Sequence, residues 1–170
     1  KHSKVPVING LSEQSHPCQI MSDILTFEEI KGNIKGKTIA WLGDGNNNMS
    51  NSFIEASAKF GFKFNIGCPD KYKPNKNILV WAKKNKANIS VVKNPGDAVK
   101  DADCIMTDKW ISMNDKVDKK KKKKMLKPYQ VNKKIMKLAK SDAIFMHCLP
   151  VSRGEEATDE VVDGKQSVVW

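Results

Sequence analysis

Arginine is nearly missing from this 170-residue chain: of 30 basic residues, only Arg153 carries a guanidinium and the others are lysine. A formal net charge of +11 would suggest nucleic acid or an acidic membrane surface as a partner. Base and phosphate recognition, however, favours the bidentate guanidinium fork. Lysine and asparagine are abundant together, as at Asn46, Asn47 and Asn48, so the charge excess is read as compositional bias and no nucleic-acid partner is expected. No apolar run approaches the roughly 18 residues of a membrane span, and no membrane partner is expected. The opening "KHSKVPVINGL" carries charge without an apolar stretch, unlike a signal peptide. The four cysteines, Cys18, Cys68, Cys104 and Cys148, form no CxxC pair, which argues against a zinc site. Reduced thiols in a cytoplasmic setting are expected. An initiator methionine is also absent and the chain stops on the apolar run "SVVW"; both suggest a piece of something longer.

Hydrophobic residues make up 39% and charged residues 29%, enough apolar material for a globular core. From residue 37 the chain alternates regularly. Strands are expected at 37–44 ("KTIAWLGD"), 62–69, 89–94, 103–108 and 143–150 ("AIFMHCLP"), with "SVVW" beginning a possible sixth. Helices are expected at 49–61, closed by Gly61, and at 77–86, 95–102 and 129–140. Alternating strands and helices imply βαβ units on a parallel sheet. Continuous apolar strands imply that both faces are covered. The expected fold class is therefore α/β: an open, doubly wound parallel sheet flanked by helices, Rossmann-like in outline. Residues 1–34 differ, with a short β-like start, a polar turn and helical spacing in "CQIMSDILTFEEI"; they read as the tail of a preceding domain and a linking helix into an α/β domain spanning 35–170. The lysine-rich stretch 115–127, including Lys119 to Lys124, reads as a solvated loop or helix end.

In open α/β sheets, ligands bind beyond the carboxyl ends of the strands. That rule selects three polar clusters: "GDGNNNMSN" (43–51), "TDKWISMND" (107–115) and "HCLP" (147–150). Each alone reads as an ordinary polar loop; converging on one edge, they read as a site. The first does not match the dinucleotide fingerprint, because Asn48 occupies the third glycine position, where close helix packing is needed.

With "HPCQ" (16–19) added, the ordered set "HPCQ", "GDGNNN", "DKWISM" (108–113) and "HCLP" resembles the ornithine carbamoyltransferases over nearly the whole chain. "HPCQ" marks the wider carbamoyltransferase family. Asp108 with Ser112 and Met113, followed by "HCLP", points away from the aspartate-specific branch and leaves a putrescine-specific or other carbamoyltransferase open. The resemblance implies transfer of a carbamoyl group from carbamoyl phosphate to the δ-amine of ornithine, without metal or cofactor, in a protein that is a homotrimer when full length. It implies that His16, Pro17, Cys18, Gln19, Cys148 and Leu149 contact carbamoyl phosphate, and that Asn47, Asp108, Ser112 and Met113 hold ornithine.

Chemistry is compatible with these roles. Asp108 can pair with an α-ammonium, or cap a following helix. The Asn47 amide both donates and accepts. His16 sits in a stiff turn before Pro17, or on the surface. Cys148 is a candidate proton acceptor if a cationic site lowers its pKa; otherwise it is a small buried apolar side chain. His147 can donate to the ligand or cap the strand end. Asn114 replaces the glycine usual after Ser-Met, and the family's Ser-Thr-Arg-Thr-type phosphate loop is absent from residues 1–170. A non-catalytic small-molecule-binding module on the same fold is the rival from another class.

Overall fold

The computed structural model describes residues 3–111 and 118–170. Five strands form one sheet: β1 (Thr38–Leu42), β2 (Lys63–Gly67), β3 (Asn88–Val92), β4 (Cys104–Thr107) and β5 (Ile144–His147). Their order is β3-β2-β1-β4-β5, and every pairing is parallel. This is the doubly wound α/β sheet expected from the alternating pattern, with its switch point between β1 and β4.

Alternation along the strands divides the core in two. Ile39, Trp41, Phe64, Ile66, Met106 and Met146 point to one face, where they meet α1 (Pro17–Lys31), α2 (Asn48–Phe60) and α3 (Lys76–Lys84). Ala40, Leu42, Ile105 and Phe145 point to the other, where they meet α4 (Pro95–Val99), α6 (Lys133–Met136) and α7 (Asp159–Val162). Both faces are covered, which accounts for the unbroken apolar strands. Helix α1 begins with Pro17 at its first position, where a missing N–H costs nothing. It buries Ile20, Ile24 and Phe27 in the first core. Helix α2 is capped by the Asn47 side chain, which accepts from the Ser50 N–H, and closed by left-handed Gly61.

Four expectations change. The helix expected at 129–140 is replaced by a tight turn at Lys127–Tyr129 and the short α6. Between them Val131 is drawn into extended backbone: its N–H donates to Glu156 O at 2.8 Å, and its carbonyl accepts from Thr158 N. The Asn132 side chain then caps a fresh helix, accepting from Lys134 N and Ile135 N. The sixth strand reduces to one bridge, Ser167 beside Phe145. No strand forms among residues 3–16. The lysine run is helical over α5 (Lys119–Leu126), and one of its lysines, Lys122, is buried.

Glycines fix the turn after β1. Gly43 holds φ +128°, and a Cβ on Gly45 would lie 2.9 Å from the Tyr72 carbonyl oxygen. At the end of β2, a Cβ on Gly67 would lie 2.6 Å from Leu42 Cδ2 and 3.0 Å from Ala98 Cβ. Gly67→Ala should therefore lower unfolding stability by about 1–3 kcal/mol, the usual cost of overpacking. Denaturant unfolding checks this, and an unchanged midpoint would contradict the close packing.

Candidate functional site

Parallel strands deliver their carboxyl ends to one edge, and a crevice of about 770 Å³ lies along it. The turn after β1 supplies Asp44, Asn46 and Asn47; the segment after β4 supplies Asp108; the segment after β5 supplies Cys148 and Leu149; the start of α1 supplies His16. The three polar clusters selected from sequence thus converge. A smaller cavity of about 290 Å³ lies between α1 and the end of β5 and shares Cys148 and Leu149 with the crevice. Gln19 and His147 line this second space. Pro17 and Cys18 are exposed and line neither cavity, while Ser112 and Met113 lie outside the described residues.

Asp108 and Cys148 meet across adjacent strand ends. The Cys148 thiol donates to Asp108 Oδ1 at 3.2 Å, and the same oxygen accepts the Lys109 N–H at 2.6 Å. Burial first, and the Asp108 carboxylate second, push the Cys148 thiol far above its ordinary pKa. The expected lowering by a cationic site is therefore reversed: the charges facing this sulfur are negative ones, Asp108 and Asp23.

His147 is turned inward. Its Nδ1 accepts the Leu149 N–H at 2.8 Å, which places the ring proton on Nε2. That nitrogen lies 3.5 Å from Glu156 Oε1, and both side chains are fully buried. Glu156 Oε1 also accepts the Ser152 N–H. The ring thus caps the strand end, the second of its two expected roles. Leu149 holds φ +51°, uncommon for a non-glycine residue, in the turn this bond secures. The His16 backbone N–H donates to Ser52 Oγ at 2.8 Å, while its ring Nδ1 is buried without a hydrogen-bond partner among the described residues. Asn48 and Asn51 tie the preceding loop to α2 through Ser12 O and Gln14 O.

Sequence reasoning missed the buried ion pair on the crevice floor. Lys122 Nζ lies 2.7 Å from Asp44 Oδ2 and 5.3 Å from the centre of the Tyr72 ring. A run of identical lysines hides which one faces inward; only the four-residue spacing of Lys122 and Leu126 on one helix face offers a signal. Asp23 was missed too, although it stands one helical turn after Gln19. Among the described residues, no three His, Cys, Asp or Glu side chains converge to hold a metal ion.

A doubly wound sheet with a polar crevice at its switch point defines the ligand-binding domain of an α/β protein. Comparison makes the class specific. The aspartate/ornithine carbamoyltransferase Asp/Orn binding domain matches residues 35–170, and the carbamoyl-P binding domain of the same family matches residues 1–29. The chain belongs to the aspartate/ornithine carbamoyltransferase family. Its similar relatives stand on the ornithine side. The ornithine carbamoyltransferase of Rhodopseudomonas palustris is 55% identical over 169 residues, a match covering 99% of this chain and 54% of that protein. That of Agrobacterium fabrum is 51% identical over 170 residues, 100% of this chain and 55% of that protein. The solved ornithine carbamoyltransferase from Pyrococcus furiosus superposes with a TM-score of 0.91 at 44% identity, covering 99% of this chain and 55% of that one. The chain therefore spans about half the length of the curated relatives it matches.

Removing one partner of a buried ion pair strands the other charge, at a cost of about 3–5 kcal/mol. Lys122→Met should destabilise by about that much. Lys122→Met with Asp44→Leu should cost less than the two single changes together. Equilibrium unfolding of the three variants checks the coupling; strictly additive losses would mean that the pair is not formed.

Proposed function

We propose that this chain supplies the ornithine-binding half of an ornithine carbamoyltransferase. The full-length protein transfers the carbamoyl group of carbamoyl phosphate to the δ-amine of L-ornithine, giving L-citrulline and phosphate. Residues 1–34 are the tail of the carbamoyl-phosphate-binding domain and its linking helix, and residues 35–170 form the ornithine-binding domain. The assembly is a cytoplasmic homotrimer, as the family resemblance implies. The observation that carries the proposal is the meeting of Asp108 and Cys148 at the crevice wall, from the ends of adjacent strands.

In this proposal the neutral δ-amine attacks the carbamoyl carbon, a C–N bond forms, the C–O bond to phosphate breaks, and the nitrogen sheds a proton. A free alkyl amine has a pKa of about 10.4 and is mostly protonated at neutral pH, so the site must favour the uncharged form. Asp108 is acceptor-only when ionised and has lone pairs left beside its bonds to Cys148 and Lys109, which lets it take the α-ammonium of the amino acid. Asn47 already caps α2 through its oxygen; its NH₂ group is free to donate to the α-carboxylate. Ser112 and Met113 complete the ornithine side. His16, Gln19 and Leu149 hold carbamoyl phosphate; Pro17 and Cys18, exposed and outside both cavities, serve only to start the helix that presents Gln19, and His147 supports Leu149 from within. Cys148 stays a neutral thiol in the free protein. A bound ammonium beside Asp108 supplies the missing cation and brings the thiol pKa down, so that Cys148 gives its proton to solvent and the resulting thiolate takes the proton that the reacting nitrogen sheds.

The direct test is citrulline and phosphate formation by the full-length protein from carbamoyl phosphate, with ornithine and putrescine offered separately. The proposal expects turnover with ornithine, whereas turnover with putrescine alone would replace it by the other branch. In the same protein, Asp108→Asn should weaken ornithine binding by about 1.5–3 kcal/mol, the worth of a hydrogen bond to a charged group. Binding of carbamoyl phosphate should hardly change. Calorimetry with each substrate separates the effects, and equal losses for both would assign Asp108 a structural role instead.

A further inference from the structure

The second cavity contains a buried carboxyl that the proposed chemistry does not use. Asp23 lies on the inner face of α1, only 6% exposed, among Ile20, Ile24 and Phe27. Its Oδ1 accepts from Gln19 Nε2 at 2.9 Å. Its Oδ2 is buried without a hydrogen-bond partner among the described residues. The titratable groups near it are His147 and Cys148 on the β5 side, Cys104 on β4 and Asp108 beyond β4. Burial is the largest influence on Asp23 and raises its carboxyl from 3.8 to about 6. An apolar residue would pack on this helix face without such a cost, so the carboxyl calls for a role beyond packing.

Its hydrogen-bond partner, Gln19, indicates that role. Gln19 can present either its NH₂ group or its carbonyl oxygen to the cavity. An ionised carboxylate only accepts, so it must face the NH₂ group. That bond leaves Gln19 Oε1 as the free end of the amide, in a cavity shared with Cys148 and Leu149. A free amide acceptor suits a neutral planar N–H₂ donor; the reversed amide would set donor against donor. We propose that Asp23 is a positioning residue: by holding the NH₂ end of Gln19, it turns the Gln19 carbonyl oxygen toward the amino group of the carbamoyl moiety. This rests on the function proposed above and adds to it the residue that orients the carbamoyl contact.

Steady-state kinetics of the full-length protein, with each substrate varied in turn, test the assignment. Asp23→Leu should raise the KM for carbamoyl phosphate by roughly 2- to 10-fold, the loss of one hydrogen bond between neutral groups, and leave the KM for ornithine unchanged. Asp23→Asn retains an acceptor and should stay near wild type. In a Gln19→Leu background, Asp23→Leu should add no further loss. A second series does not depend on Asp23→Leu folding. Gln19→Glu sets two carboxylates face to face and should raise the KM for carbamoyl phosphate. Adding Asp23→Asn restores a donor–acceptor pair and should bring that KM back toward wild type. An unchanged KM in Asp23→Leu, independent losses in the double variant, or no recovery in the Glu–Asn pair would each overturn the proposal. A wild-type protein that forms no citrulline would instead count against the function on which it rests.

Discussion

Five strands paired in parallel must all end at the same edge, and the placement of the polar groups depends on that constraint. Because helices cover both faces, the sheet offers no open surface there; its carboxyl edge is where backbone turns and polar side chains can gather. The strand order reverses between β1 and β4, so their following segments diverge and leave a gap. Asp44 and Asn47 stand on one side of that gap, with Asp108 and Cys148 on the other. Gly43 and Gly45 allow the turn after β1 to fold tightly beneath Tyr72.

Several side chains at this edge are poor choices for stability alone. Asp44 and Lys122 are withdrawn from water as a pair, His147 and Glu156 share a buried contact, and Asp23 keeps one carboxylate oxygen without a partner among the described residues. Buried charges of this kind often stabilise no more than apolar residues of similar size. Buried polar groups occur elsewhere in the domain too, as at Asn65 and Asp103, but the gathering of several around two adjoining cavities is the pattern expected where stability is given up for a working site.

Period and punctuation made most of the fold legible in the sequence. Continuous apolar runs located all five strands, and Gly61 located the end of α2 correctly. The misplaced helix at 129–140 shows where local pattern fails: Val131 has helical spacing, but tertiary pairing with Glu156 and Thr158 pulls its backbone straight. The crevice was legible because the edge rule needs only strand ends. Lys122 and Glu156 were not, since whether one charged residue turns inward is set by the opposing element, here Asp44 for the lysine and His147 for the glutamate. The environment of Cys148 was read with the wrong sign, because the nearby charge is an aspartate rather than a cation.

That sign makes the Asp108–Cys148 contact the centre of the account: burial and a neighbouring carboxylate keep the thiol protonated until a substrate cation arrives. The most direct measurement is a thiolate titration of Cys148 by ultraviolet absorbance in the full-length protein, with Cys18 replaced by serine because it is exposed. The Cys148 signal is read as the difference from the Cys148→Ser variant, which cancels every other thiol of the full-length protein, the buried and upward-shifted Cys68 and Cys104 included. In the free protein Cys148 should not ionise near the ordinary thiol value of about 8.5, and its pKa should fall when ornithine is bound or Asp108 is changed to asparagine. A Cys148 thiolate forming at or below that value in the free protein, unaffected by Asp108→Asn, would contradict it.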